Sequence, residues 1–236
     1  MVQGSTPERI RELMDKSLAD GAEAYGMQFC QLLPEYRTPE VYRALFSYAK
    51  DKPVYVTNYR LAKNEGKSDE VLASEMLEIA ECGATLCDIM ADYFDKQPDE
   101  LAVDTTAIEK QKELIKKLHD KGAEVLMSSH IVHEITPAER VLEIALAHQE
   151  RGADISKIVT MADTMEQQIE NLRIINLLKE NLKIPFLFLC GGECRILRRI
   201  GGELGSCMYL GVAEYDDLAT PMQPPIKSLV AIRDNM

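Results

Sequence analysis

Gly152-Ala153-Asp154-Ile155-Ser156-Lys157-Ile158-Val159-Thr160-Met161 reads as a short buried strand with a lysine at its centre. By the two-residue period of a strand, Ile155, Lys157, Val159 and Met161 share one face, while Ile158 and Thr160 take the other. The amine therefore points the same way as three apolar side chains. An ammonium in such company is costly. Either it snorkels to the rim or pairs with a carboxylate, or burial favours the neutral amine, which can attack a carbonyl carbon and form an imine. This stretch alone leaves both readings open.

The same unit recurs on either side of it. Strand-like runs cover residues 24–30, 53–60, 84–90, 124–130, 155–161, 185–190 and 207–212, and helix-like runs separate them. Thr6-Pro7-Glu8 and Thr38-Pro39-Glu40 open helices, and Thr136-Pro137-Ala138-Glu139 has the spacing of a capping box. Gly83, Gly122 and Gly152 stand just before strands, where helix-ending glycines belong. Seven strands alternating with helices predict an all-parallel sheet covered by helices. Their regular spacing predicts an α/β fold of the (β/α)8 barrel type, one domain over residues 1–236. Its first strand is short or missing, because Met1 to Ser5 offers barely one. The rival, a doubly wound open sheet, lacks its glycine-rich phosphate loop.

Composition narrows the partners. The 236 residues are 46% hydrophobic, enough for a substantial core, and the formal net charge of −12 is spread without a basic block. A nucleic-acid or anionic-membrane surface is not expected. No apolar run approaches the length that crosses a bilayer, and the first residues lack a signal-sequence pattern, so a cytoplasmic protein is expected. Cys30, Cys82, Cys87, Cys190, Cys194 and Cys207 lack paired CxxC spacing and read as reduced thiols.

In a parallel barrel, catalytic groups collect at the C-terminal ends of strands. Arg60 and His130 end strands there, Lys157 lies in the next strand, and Arg198 follows a glycine-rich turn. An imine-forming lysine beside a proton-carrying histidine is a working pair, and two arginines suit an acidic small-molecule substrate. Each has a structural alternative: a hydrogen-bonded core histidine, or surface arginines, with Arg195 and Arg199 flanking Arg198. His119 and His148, inside helices among charged residues, read as solvated. His130-Ile131-Val132-His133-Glu134 invites a metal reading, with Asp88 or Asp163 as further ligands, but its order is not a zinc-protease pattern and no metal is expected.

Taken together, these segments resemble the type I 3-dehydroquinate dehydratases. Val125 to His130 followed by Thr136-Pro137 is similar to that family's strand ending in the catalytic histidine. Gly152 to Val159 is similar to its imine-forming segment, and Val56 to Arg60 to its strand ending in a substrate-binding arginine. Arg198 to Ser206 resembles the segment whose arginine holds the substrate carboxylate, and Thr220-Pro221-Met222-Gln223 the loop covering the substrate. The resemblance implies a homodimer without metal or organic cofactor. It implies that Lys157 forms the imine with 3-dehydroquinate, that His130 moves the proton, and that Arg60, Arg198, Gln223, Thr220 and Gln28 bind substrate.

There are departures. Where the family keeps a glutamate to orient its histidine, this chain has Asn64, with Glu65 next, so one of these is expected to take that place. Gln28-Phe29-Cys30 stands where the family has Glu-x-Arg, with Glu35 and Arg37 seven residues on. These changes fall around substrate recognition. Two further readings therefore stand beside dehydration of 3-dehydroquinate: a divergent imine-forming lyase or aldolase acting on another acidic hydroxyketone, and a non-catalytic carboxylate-binding homologue.

Overall fold

A computed structural model describes residues 1–133 and 135–236; Glu134, and with it the end of the proposed metal run, lies outside the described residues. Helices and strands alternate, and the strands follow one another in sheet order as they do in sequence. Two compact units interleave along the chain: residues 1–88, 116–124 and 210–236 make the first, and 89–115 with 125–209 the second.

The first unit contains α1 (Pro7–Ala19), β1 (Tyr25–Gln28), α2 (Pro39–Tyr48), β2 (Val54–Thr57), α3 (Asp69–Glu81), the start of β3 (Leu86–Met90) and α8 (Ile226–Arg233). Thr6 and Thr38 cap α1 and α2 as their sequences dictate: each hydroxyl accepts the backbone N–H three residues on, with proline at the first helical position. β1 and β2 pair in parallel from Tyr25↔Val54 to Gln28↔Thr57. Phe29, fully buried, lies against Tyr42 at a 4.9 Å centroid separation, anchoring the end of β1 on α2. Truncating it to alanine would cost about 3–5 kcal/mol. The first strand is reduced to one parallel bridge, Val2↔Met27.

The second unit contains most of α4 (Thr105–Asp120) and β4 (Glu124–His130), then α5 (Ala138–Glu150), β5 (Ile155–Met161), α6 (Met165–Asn181), β6 (Phe186–Gly191) and α7 (Leu197–Leu204). β5 is central, paired in parallel with β4 through Ser128↔Lys157 and His130↔Val159, and with β6 through Lys157↔Leu187. Gly152, at φ +97, supplies the left-handed turn between α5 and β5. Alternation decides which way β5 faces. Thr160 donates to Asn171 of α6 and Ser156 meets His148 of α5, so the even-numbered residues face helices and Lys157 lies on the opposite face.

Three local expectations change. Residues 207–212 do not form a strand of their own; Val212 makes one bridge to Pro225, its N–H donating to Pro224 O at 3.0 Å. At its start Cys207 N–H donates to Phe186 O of β6 at 2.8 Å, so single bonds rather than a ladder hold this segment. The Thr136 capping box does not form: α5 begins at Ala138, whose N–H is satisfied by Glu170 at 3.1 Å, and the buried Thr136 hydroxyl has no partner. The capping box of this unit is instead Thr164 with Gln167, at the start of α6. Finally, His148 is not solvated but fully buried, between Ser129 Oγ at 3.1 Å and Ser156 Oγ at 3.0 Å.

Candidate active site

Lys157 is buried, at 4% exposure, in the middle of β5. Ser129 of β4 turns to His148 on the helix side, so its neighbours Ser128 and His130 turn to the face that carries Lys157. His130 sits one strand across and two residues further along, about 4.8 Å sideways and about 6.6 Å along the strand.

The imidazole has a partner that the sequence did not single out. Glu100 Oε2 accepts the His130 backbone N–H at 2.8 Å and meets Nδ1 at 2.8 Å. Burial pushes the Glu100 carboxyl up, but the hydrogen bonds and charge of His130, with the charge of Lys157, outweigh this and hold it below the ordinary glutamate value. Asn64 and Glu65 were the expected partners. Asn64 is instead engaged within the first unit, donating to Asn58 Oδ1 at 2.7 Å and Tyr59 O at 2.9 Å and accepting from Arg37, while Glu65 is exposed. The only sequence signal for Glu100 was its place in an acidic loop before α4.

Arg198, in the first turn of α7, is 5% exposed. Its Nε donates to Cys190 O at 2.7 Å, at the C-terminal end of β6, and no carboxylate pairs with it among the described residues. Burial pushes its pKa down, the sign of a cation poorly compensated where it sits. A buried guanidinium with a single carbonyl partner is suited to receive an anion.

The remaining predicted residues lie in the first unit and are largely engaged there. Arg60 grips Asp69 with both ends of its fork, at 2.6 and 2.8 Å. Gln28 accepts from Gln3 at 2.8 Å, and Gln3 also donates to Thr220 Oγ1 at 3.1 Å and accepts its N–H at 3.0 Å. Gln3, itself buried, thus ties Gln28 to Thr220, a role that no local pattern around it signals. Gln223 Oε1 is buried without a hydrogen-bond partner. Arg37 folds back onto Leu32 O at 2.9 Å and Cys30 O at 3.2 Å, whereas Glu35 stays exposed. Asp88, weighed as a metal ligand, accepts the hydroxyls of Tyr55 and Tyr59. Among the described residues no cluster of three histidine, cysteine or acidic side chains could hold a metal ion.

Sheet order and side chains define the class first: a protein of the (β/α)-barrel type with a buried strand lysine beside a carboxylate-held histidine, a set suited to lyase chemistry. Type I 3-dehydroquinase is the family whose model matches residues 32–236, and the chain belongs to it. It is 29% identical over 198 residues to 3-dehydroquinate dehydratase of Clostridium novyi, covering 83% of this chain and 74% of that protein. To the enzyme of the same name from Alkaliphilus oremlandii it is 34% identical over 92 residues, 39% of this chain and 36% of that protein. Against the 3-dehydroquinate dehydratase structure from Geobacillus kaustophilus the TM-score is 0.83 at 17% identity, over 99% of this chain and 88% of that one. For the Clostridium difficile type I enzyme with covalently modified comenic acid the values are 0.78 and 20%, over 99% and 89%. These likenesses show the fold. No described helix is long and apolar enough to cross a membrane.

Proposed function

We propose that this protein is a hydro-lyase converting 3-dehydroquinate to 3-dehydroshikimate through an imine on Lys157. Family membership supports the substrate and the reaction class. The observation that carries the mechanism is the buried Lys157 of β5 on the same sheet face as His130 of the neighbouring β4.

In this reading Lys157 Nζ adds to the substrate ketone and water leaves, giving the imine. His130 takes the proton from the adjacent carbon, whose acidity the imine raises. The electron pair left on that carbon forms the new carbon–carbon double bond as the next hydroxyl departs, taking the proton back from His130 and leaving as water. Hydrolysis of the imine restores the amine. Arg198 holds the substrate carboxylate. Arg60, Gln28 and Thr220, engaged within their own unit, are given no step. The homodimer rests on the family resemblance alone, and sedimentation of the purified protein reads it.

One experiment decides the reading. Mixing with 3-dehydroquinate should raise the absorbance of the enone product, and borohydride added during turnover should leave a mass adduct on Lys157. An adduct without product would move the substrate to another acidic hydroxyketone, the reading that the Arg60–Asp69 pair favours. No adduct with any oxoacid would leave a carboxylate-binding homologue.

A further inference from the structure

We propose that Glu100, carried by the loop between β3 and α4, is the positioning residue that fixes the tautomer and orientation of His130. Its site readout rests on the proposed reaction; its claim about the imidazole does not.

A single carboxylate oxygen receives both the main-chain N–H and the ring Nδ1 of the same residue. Two bonds from one histidine to one atom leave the ring little freedom to turn. An ionised carboxylate only accepts, so Nδ1 carries the hydrogen and the lone pair of the neutral ring stands on Nε2, the nitrogen turned away from Glu100. That is the form a general base needs.

The loop is built to hold Glu100 there. Glu100 has a φ of +50, a left-handed conformation that a glutamate adopts only under constraint. Its carbonyl accepts from Ser129 Oγ at 2.8 Å, and behind Ser129 stands the buried His148–Ser156 chain. The two ends of the loop are closed by Ala102 N–H on Ala91 O at 3.0 Å. Arg151, only 6% exposed, donates to both Ala91 O and Ala102 O at 2.7 Å. Gln111 adds bonds to Ala91 O and Tyr93 O, and Arg140 grips the neighbouring Asp99. A loop that merely connected β3 to α4 would not need a buried guanidinium bridging its ends. Asn64, at the place the sequence offers for this role, already has both ends of its amide occupied.

The test uses the full chain labelled with nitrogen-15 histidine, the His130 signals being assigned by their loss in His130→Asn. At neutral pH the unliganded protein should show His130 protonated on Nδ1, and Glu100→Ala should move it to a mixture containing the Nε2–H form. With 3-dehydroquinate, Glu100→Ala should lose about 10²-fold in kcat, keep KM within about twofold, and retain the borohydride adduct on Lys157; Glu100→Asp should recover part of the loss. The Nε2–H form in the unaltered protein, or an unchanged tautomer and kcat in a folded Glu100→Ala, would overturn the proposal. Should Glu100→Ala fail to fold, the spectrum of the unaltered protein still decides. Absence of turnover in the unaltered protein would count against the proposed reaction, while the tautomer would continue to judge Glu100.

Discussion

Each unit encloses a carboxylate, Glu100 against the end of β4 and Asp88 in the middle of β3, and the two are held by different donors. In the second, Glu100 meets an imidazole and lies within the field of a lysine, and although burial pushes its carboxyl up, His130 and the charge of Lys157 hold it below the ordinary glutamate value. In the first, Asp88 meets two phenols, Tyr55 and Tyr59, whose pKa values burial, reinforced by the charge of Asp88, pushes well above the ordinary tyrosine value. Both phenols therefore donate to Asp88 as protonated hydroxyls. The two carboxylates thus differ in their donors, an imidazole on one and two phenols on the other.

The comparison can be broken or sharpened by substitution. Lys157→Met should abolish the borohydride adduct and lower turnover on the order of 10⁴-fold or more. Retained turnover would remove the imine mechanism. His130→Ala should cost about 10²–10⁴-fold in kcat while the adduct still forms, which mass spectrometry after borohydride would show. Arg198→Ala should raise KM on the order of 10²-fold with a smaller change in kcat, since it removes a contact to a charge that does not react.

In the other unit, Asp88→Ala should leave two buried hydroxyls without their acceptor and cost about 2–3 kcal/mol in denaturant unfolding. Its adduct with Lys157 should survive. Loss of the adduct in a stably folded Asp88→Ala would erase the contrast between the two carboxylates.

The smallest effect is one of pH. Glu100 has a folded pKa below its unfolded one, so its ionisation contributes stability that is fully present above about 4.3 and disappears as pH falls through the lower folded value. Unfolding of the unaltered protein and Glu100→Gln should thus differ most at neutral pH and converge in acid. Curves that stayed parallel down to the acid end would show that the carboxylate gains nothing from His130.

Much of this was open to reading in one dimension. Lys157 and His130 were accessible because strand periodicity and strand ends are local properties, and so were the caps at Thr6 and Thr38. His148 was misread from its charged neighbours, although helical spacing puts it on one face with Val141, Ile144 and Ala145, all buried. Its burial was therefore legible in the period and obscured by composition. Glu100 was of another kind. It sits among Asp92, Asp95 and Asp99 in a loop without periodicity, thirty residues before the histidine it touches.

The sequence alone determined the alternation of strands and helices, the family, and that Lys157 lies within one strand and His130 at the end of the one before it, because each follows from contacts between near neighbours or from a regular period. Only the tertiary structure decided which carboxylate meets the imidazole and which arginine stays uncompensated. Those choices depend on where loops return after long excursions, and loop paths are set by the sum of many packed contacts rather than by any local pattern.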